Sequence, residues 1–295
     1  MDTDTNTDTT GVNRRGLLGA GSAGMAALAA VVAGGLATSA PAHAQGVTDA
    51  DVFNFALNLE YLEAEFYLRG VTGTGLSGTD VTGTGTPGGV TGGAAVPVRS
   101  SYLQQYFTKI AVDELTHVRF IRAVLGSGAV ARPAIDFTAA FTNLAVAAGL
   151  IVPGQTFNPF ADEISFLVAS YVFEDVGVTA YAGSAALITN PDNLAYAGSI
   201  LAVEAYHAAA VRSLLANLGG GRATNQISAL RATLSGRADD VGIVIPGNDF
   251  NFVPVDDQGQ AFRRTPRQVL NIVYGAQNAA SGLFFPAGVN GVIRS

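Results

Sequence analysis

The residues best suited to chemistry in this chain form two pairs with the same spacing, Glu114-x-x-His117 and Glu204-x-x-His207. The only other histidine, His43, lies near the N-terminus. Residues three apart on a helix share a face, so each pair directs a carboxylate and an imidazole towards one point. Two such helices, each facing a helix that offers a further glutamate, carry the ligands of a di-iron or di-manganese carboxylate centre.

The further glutamates lie in two other segments that are predicted to be helical. The first segment contains Glu60, Glu63 and Glu65, and the third contains Glu174. Glutamates that point into an apolar bundle are costly to bury unless they are paired or bound to a cation. Carboxylate and imidazole ligands suit Fe(II) and Mn(II), and the chain has no cysteine to supply the thiolates that softer metals prefer. The pattern therefore predicts two Fe or two Mn ions.

Two tyrosines repeat the spacing of the glutamates. Tyr67 follows Glu60 by seven residues, as Tyr181 follows Glu174. Seven residues are about two helical turns, so each tyrosine lies on the face of its own glutamate. This spacing favours Glu60 as the ligand from the first helix, with Glu63 as the alternative or an additional ligand. We interpret the tyrosines as packing residues, and the alternative is that Tyr67 and Tyr181 are additional residues of the site with a redox role.

A ligating histidine usually donates its second N–H to a carboxylate or a carbonyl. Asp113 is placed to accept from His207 of the opposite pair. The matching position in the second motif is Val203, so His117 lacks a symmetric partner. Asp175 or a backbone carbonyl is the substitute that the sequence offers.

Four long helices are predicted to position these residues. They cover residues 48–69, 101–125, 160–188 and 191–218, and are bounded by capping residues, prolines and glycines. The first ends at Gly70, and a Gly/Thr-rich insertion loop follows over 70–98. Residues 127–158 form a long crossover with a short helix near 136–148. Two antiparallel helix pairs joined by one long crossover predict an all-α fold, a four-helix bundle of the one-crossover type.

The sequence predicts three regions: a leader over 1–44, the bundle over 45–218 and a C-terminal extension over 219–295. The extension contains predicted helices near 224–236 and after Thr265-Pro266. Its apolar residues are too few and too scattered for an independent core. We therefore expect a mixed extension that packs on the bundle.

The leader has the pattern of an export signal. Arg14-Arg15 precede a mildly apolar Ala/Gly/Val run, and Ala42-His43-Ala44 provides small residues around a cleavage point before Gln45. The adjacent arginines are typical of a twin-arginine signal. We expect a periplasmic or extracellular protein without a membrane anchor after cleavage, since no later stretch is predicted to be long and apolar enough to span a bilayer.

The composition limits the classes of partner that are expected. Hydrophobic residues make up 48% of the chain, so a large core is expected, while charged residues make up only 13% and the net charge is −7. Lys109 is the only lysine. Nucleic acids and anionic membranes both favour clustered Lys and Arg, so neither is expected as a partner. The sequence leaves the oligomeric state open and allows a homo-oligomer.

Several motifs resemble those of a known family. Asn58-Leu59-Glu60 with Tyr67 is similar to the first helix of ferritins, and Asp113-Glu114-x-x-His117 is similar to the second helix of bacterioferritin-type sites. Residues 50–218 resemble the ferritin-like family that includes plant desiccation-related proteins and their exported bacterial relatives. Arg237–Asp240 and Leu283–Pro286 also resemble that family.

The resemblance implies a ferritin-like bundle with a di-iron or di-manganese centre. The ligands that it implies are Glu60, Glu114, His117, Glu174, Glu204 and His207. The activity that it implies is redox chemistry on a small oxidant, dioxygen or peroxide, by an oxidase, ferroxidase or catalase-like enzyme. The alternative is a non-enzymatic protein of desiccation or stress protection, with structural or vestigial metal binding. Sequence leaves open whether the protein is an enzyme.

Overall fold

The computed structural model describes residues 46–244 and 250–295, so the predicted leader lies outside the described residues. Seven α-helices account for most of this part of the chain. They are α1 Asp49–Thr72, α2 Ser101–Leu125, α3 Ala139–Ala147, α4 Glu163–Ser184, α5 Pro191–Asn217, α6 Gly221–Ser235 and α7 Pro266–Tyr274. Short 3-10 turns cover Gly78–Val81, Gly126–Gly128 and Ala185–Leu187.

Four of the helices form the bundle. Helix α1 packs along α2, and α4 packs along α5, while α1 and α4 are in contact between the two pairs. The segment between α2 and α4 is the long crossover, and it carries α3. The all-α four-helix bundle with one crossover is therefore confirmed.

The bundle helices begin at the capping residues that the sequence offers. Thr48 forms a capping box with Asp51 at the start of α1, and Asn190 caps α5 with Pro191 in its first turn. The prediction that α1 ends at Gly70 is wrong, since the helix continues to Thr72 and ends at Gly73, where φ is 80°. Gly70 is needed because a side chain there would clash with the ring of Phe166.

The Gly/Thr-rich insertion is tied to the crossover along its length. Its strand β1, Val90–Thr91, pairs in parallel with β2, Ile135–Asp136, in the crossover. Backbone hydrogen bonds also join Thr84 to Ala129 and Ala131 on either side of a bridge to Val130. The insertion and the crossover therefore cover one flank of the bundle together.

An aromatic cluster joins the bundle to the crossover. The ring of Phe66 on α1 stacks on Phe166 of α4 at 4.4 Å between centroids, and Phe137 and Phe141 of the crossover lie within 6 Å of it. Phe284 of the C-terminal segment packs on Phe141 at 5.0 Å. Burial of rings of this size is a major source of stability in a core.

The C-terminal segment packs on the outer side of α4. Helices α6 and α7 contact each other, and both contact α4. The backbone N–H of Arg264 donates to the carbonyl of Thr179 at 3.0 Å, and Gly183 leaves room for the chain beside Arg264. The extension is therefore continuous with the bundle core.

In the part of the chain that the structure describes, two helices are long and apolar enough to cross a membrane by length and composition. They are Glu163–Leu187 and Pro191–Asn217, with mean hydropathies of 1.2 and 1.3 in their most apolar 18 residues. The expectation that no such stretch follows the leader is therefore wrong. In these 18-residue stretches 89% of the residues of the first helix are buried, as in the core helix of a soluble protein, but only 33% of those of the second.

Candidate metal centre

The six predicted ligands lie together in the middle of the bundle. One group consists of Glu60, Glu114, His117 and Glu204, and a second consists of Glu114, Glu174 and His207. Within each group the ligand atoms lie within 4.8 Å of one another. Each of the four bundle helices contributes, and Glu114 belongs to both groups. The arrangement therefore has the form of two adjacent cation positions with a shared carboxylate.

The first position is organised around His117. Its Nδ1 atom lies 3.2 Å from Glu60 Oε2, 3.4 Å from Glu114 Oε2 and 3.5 Å from Glu204 Oε1. Two donor atoms about 2.1 Å from one ion, at angles of about 90–110°, are about 3.0–3.4 Å apart. The spacing of these donors is therefore that of ligands around a common cation.

The second position is organised around His207. Its Nδ1 atom lies 2.9 Å from Glu114 Oε1 and 3.6 Å from Glu174 Oε2. The two imidazole rings are tilted by 33° with centroids 6.3 Å apart. The histidines therefore lie side by side, each with Nδ1 next to a different oxygen of Glu114.

The ligand atoms that face one another lack hydrogen-bond partners, although they are buried. They are Glu60 Oε2, both oxygens of Glu114, His117 Nδ1, Glu174 Oε2, both oxygens of Glu204 and His207 Nδ1. An unsatisfied buried polar atom costs about 1–3 kcal/mol, and more if it is charged. Eight such atoms in one place fit a site that binds cations.

The charges of the cluster are strongly coupled. Burial raises the pKa of Glu60 to about 7, although the charge of His117 opposes the rise. Burial also works against ionisation of Glu114, but contacts with the two histidines outweigh it and lower its pKa to about 2. Despite burial, Glu114 and Glu174 raise the pKa of His207 to about 12. Without a cation, the cluster therefore retains protons that a metal would displace.

The three glutamates of α1 have different surroundings. Glu60 joins the first ligand group, whereas Glu65 faces away and pairs with Arg69 at 2.8 Å and with Arg132. Glu63 lies outside both groups, but it is buried close to Glu204, and burial and that charge raise its pKa well above its usual range. The structure thus brings Glu60 rather than Glu63 to the ligand atoms.

Gly177 on α4 makes room for carboxylates of the neighbouring helices α5 and α1. A side chain at this position would clash with Glu204 and would reach within 3.4 Å of Glu63 Oε1. Sequence reasoning missed this residue. The signal available was a glycine three residues after Glu174 within a helix, where glycine costs about 1 kcal/mol relative to alanine.

The two tyrosines hold the glutamates of the opposite helix pair. Tyr67 Oη donates to Glu174 Oε1, and Tyr181 Oη donates to Glu60 Oε1. The expectation that each tyrosine follows its own glutamate gave the correct face but missed the partner. In each of these glutamates one oxygen is occupied by a phenol, and the other is free to face the cation positions.

Asp113 is the partner of His207. Its Oδ2 atom lies 3.0 Å from His207 Nε2, and its Oδ1 atom pairs with Lys109, the exposed single lysine. Asp175 does not take the corresponding role for His117, because Arg212 and Arg231 occupy both of its oxygens. The two histidines are therefore supported differently.

Next to the ligand cluster lies a second buried group of charges, which we call the Arg–Asp cluster. It consists of Asp175, Asp239, Asp240, Arg212, Arg231 and Arg264. Asp175 follows the ligand Glu174 directly and pairs with Arg212 at 2.9 Å and Arg231 at 2.8 Å. Five of the six residues are buried, and the side chain of the sixth, Asp240, is only 3% exposed. This cluster connects α4 and α5 to the C-terminal segment.

Comparison with known proteins agrees with the fold and the ligand pattern. Residues 48–217 match the family model of the ferritin-like domain, which is more than half of the chain. The chain belongs to the ferritin-like family. No solved structure matches the chain.

This ferritin-like protein is similar to two curated plant proteins along most of its length. It is 30% identical over 268 residues to the ferritin-like catalase Nec2 of Nesocodon mauritianus, covering 83% of this chain and 84% of the relative. It is 28% identical over 264 residues to the desiccation-related protein PCC13-62 of Craterostigma plantagineum, covering 83% of each. The resemblance to desiccation-related proteins is therefore confirmed, and the similarity extends beyond the bundle.

Proposed function

We propose that this protein binds two Fe or two Mn ions in the bundle and uses them for redox chemistry on peroxide or dioxygen. The observation that carries the proposal is the set of eight buried ligand atoms without hydrogen-bond partners, on four glutamates and two histidines. These ligand types suit Fe(II) and Mn(II). Peroxide is the favoured substrate, because one relative is described as a catalase.

The ligands would divide between the two ions. Glu60, His117 and Glu204 would hold one ion, Glu174 and His207 the other, and Glu114 both. Two bound ions of variable oxidation state would relay the two electrons that one peroxide molecule loses on oxidation to dioxygen to a second peroxide molecule, which is reduced to water.

The surrounding residues orient the ligands. The phenol of Tyr181 holds one oxygen of Glu60, so that the other oxygen points inwards. Asp113 fixes the ring of His207 by accepting from Nε2, which leaves Nδ1 directed at the shared Glu114. In the metal-free protein burial raises the pKa of Glu60 to about 7, so binding of a cation there would release a proton at neutral pH.

The test is metal content and turnover of the exported protein, purified without chelators. We expect about two Fe or Mn ions per chain and release of one dioxygen for every two peroxide molecules consumed. Oxidation of Fe(II) is assayed on the same preparations. The variant Glu114→Gln removes the shared ligand, and we expect metal affinity and peroxide consumption to fall at least about 100-fold.

Glu163→Gln is the matched control. Glu163 lies at the start of α4, where it accepts from the backbone of Arg99 and Ser100, outside the ligand groups. This variant should keep both ions and full turnover. Bound metal without turnover on peroxide, dioxygen or Fe(II) would contradict the enzymatic proposal, and absence of metal after reconstitution would contradict the centre itself.

A second candidate function is non-enzymatic protection during desiccation or other stress. The similarity to a desiccation-related protein favours it. Metal would then be structural or vestigial. The two functions separate in cells that carry Glu114→Gln, because a stress phenotype that survives this substitution requires no metal chemistry.

We also propose that the protein is exported by the twin-arginine pathway to the periplasm or beyond. The proposal rests on Arg14-Arg15 and on the small residues before Gln45. Replacement of both arginines by lysine should retain the precursor in the cytoplasm, as fractionation would reveal. An N-terminus at Gln45 in the exported wild-type protein would define the cleavage point, and an intact Met1 there would refute cleavage.

A further inference from the structure

One face of the bundle is apolar but exposed. Helix α5 is as hydrophobic as the central helix α4, yet only 33% of its most apolar window is buried, against 89% for α4. Tyr206, in the middle of α5, is 76% exposed. The residues of α5 that do not face the metal centre therefore expose apolar surface to solvent in the single chain.

The same kind of surface continues on α2. Seven large apolar residues on α2, on α5 and at the C-cap of α5 are between 36% and 76% exposed: Tyr102, Val112, Phe120, Val124, Tyr196, Tyr206 and Leu218. We call this surface the α2–α5 face. The rings of Phe120 and Tyr196 are in contact across it at 5.1 Å, and at its other end Tyr102 and Leu218 line one open groove. The face is therefore continuous.

The α2–α5 face has almost no net charge. Apart from Asp192 in its first turn, the ionisable side chains of α5 other than tyrosine are Glu204, His207 and Arg212, and all three are buried. On α2, Lys109 and Asp113 neutralise each other. Two copies of a chain with a net charge of −7 repel each other, so an uncharged face is where they can meet.

The exposed area is sufficient for a stable contact. At roughly 150–250 Å² per aromatic residue, the four exposed aromatic side chains present on the order of 400 Å². That is already the size of the largest apolar patch on a typical monomer, about 300–600 Å². The three aliphatic residues bring the face towards the about 800 Å² per partner of a standard interface.

The most exposed residue of the face lies at its centre. Tyr206 is 76% exposed and lies between the contact of Phe120 with Tyr196 at one end and the groove of Tyr102 and Leu218 at the other. A two-fold axis makes a surface meet itself, so positions on either side of the axis exchange partners. An axis near Tyr206 and Val112 would place each end of the face on the opposite end of the second copy.

We propose that the α2–α5 face is a homodimer interface, covered by a second copy of this chain about a two-fold axis near Tyr206. A membrane surface fits the face less well, because interfacial helices that bind anionic lipid are flanked by Lys and Arg. The cationic side chains of α2 other than Lys109 are instead directed to the insertion: Arg119 pairs with Asp80, and Arg122 donates to the carbonyl of Thr82.

The interface would also cover the seam nearest the metal centre. Asp113 and His207 join α2 to α5 beneath it, and both histidines retain slight exposure. The second copy would shield this seam from bulk solvent. The dimer does not depend on the proposed function, since it follows from the outer face alone.

The absence of cysteine allows a direct test by cross-linking. In Tyr206→Cys the two thiols would lie close to the axis, so a short bismaleimide should convert most of the protein to a covalent dimer. Val152→Cys is the matched control, because Val152 is 62% exposed but lies in the crossover. Equal cross-linking of both variants, or of neither, would overturn the proposed interface.

The second test is solution mass by light scattering at tens of micromolar protein. Wild type should have the mass of two chains, and Tyr206→Glu half that mass with the same helical circular dichroism, whereas Val152→Glu should remain dimeric. A monomeric wild type, or a dimer that tolerates Tyr206→Glu, would refute the proposal. Sedimentation with phosphatidylcholine–phosphatidylglycerol vesicles that Tyr206→Glu abolishes would assign the face to a membrane instead.

Discussion

Two clusters of charge are buried side by side in this protein, and they differ in how they are balanced. The Arg–Asp cluster contains three arginines and three aspartates, with pairs at 2.8–2.9 Å. The ligand cluster contains four carboxylates and two imidazoles, and eight of its atoms have no hydrogen-bond partner. The first cluster supplies its own cations, whereas the second has an excess of carboxylates that fits cations from outside. Balance of charge thus separates a structural cluster from a candidate binding site.

The largest effect is expected from breaking the Arg–Asp cluster. Arg231→Met leaves Asp175 and Asp240 buried without one of their cations, and loss of one partner of a buried pair costs about 3–5 kcal/mol. Urea unfolding of chelator-treated protein measures the loss. The exposed pair of Arg119 and Asp80 gives the control, since Arg119→Met should cost at most about 1 kcal/mol. Similar losses in both variants would contradict the contrast.

Metal should stabilise the ligand cluster by a slightly smaller amount. At a hundredfold excess over Kd, a ligand that binds only the folded state adds about 2.7 kcal/mol. Added Fe(II) or Mn(II) should therefore raise the unfolding free energy of wild type but not of Glu114→Gln. Stabilisation of Glu114→Gln by an equal amount would show that the metal binds elsewhere.

This stabilisation should increase with pH. Burial raises the pKa of Glu60 to about 7. The protonated carboxyl therefore stabilises the metal-free fold, fully so below the ordinary pKa of 4.5. This contribution to the unfolding free energy is lost as pH rises through about 7. Metal needs the deprotonated carboxylate, so each displaced proton weakens binding about tenfold per pH unit below 7. Thermal unfolding with and without Mn(II) at several pH values measures this trend, and a shift that does not vary with pH would contradict it.

The tyrosines test the comparison of the two clusters further, because their phenols donate hydrogen bonds to two glutamates of the ligand cluster. Tyr181→Phe removes the hydrogen bond to Glu60 and should cost about 1–2 kcal/mol. Metal stoichiometry should not change, since the phenol holds the oxygen that faces away from the cation positions. Tyr206→Phe, on the exposed face, is the control and should change neither quantity. Loss of an ion in Tyr181→Phe would make the phenol itself a ligand.

The smallest effect concerns a carboxylate at the surface. Asp49 accepts hydrogen bonds from Thr189, Asn190 and Asn193, which overcome partial burial and lower its pKa to about 2. Its contribution is present above the ordinary value of 3.8 and is lost as pH falls through about 2. Asp49→Asn should cost at most about 1 kcal/mol at neutral pH and nothing at pH 2, whereas the exposed Asp257→Asn should be neutral throughout. A pH-independent difference would contradict this origin.

The sequence was sufficient where a signal is local. Capping residues predicted helix starts at 48 and 191, close to those of α1 and α5, and the Glu-x-x-His spacing gave the residues that the structure brings together. Gly70 was misread as a helix end because its true partner, Phe166, is almost a hundred residues away. Periodicity likewise gave the face of Tyr67 but not its partner on α4. The Arg–Asp cluster was missed because it joins segments distant in sequence.

The crossed tyrosines have a consequence for how the centre comes into being. Tyr67 of the first hairpin braces Glu174 of the second, and Tyr181 of the second braces Glu60 of the first. Neither hairpin supplies the hydrogen bond that orients its own glutamate, Glu60 or Glu174, so the ligand set of each hairpin is incomplete in isolation. The candidate ligands come together only when the two hairpins are docked, so binding of a metal by the six residues would report directly on that docking.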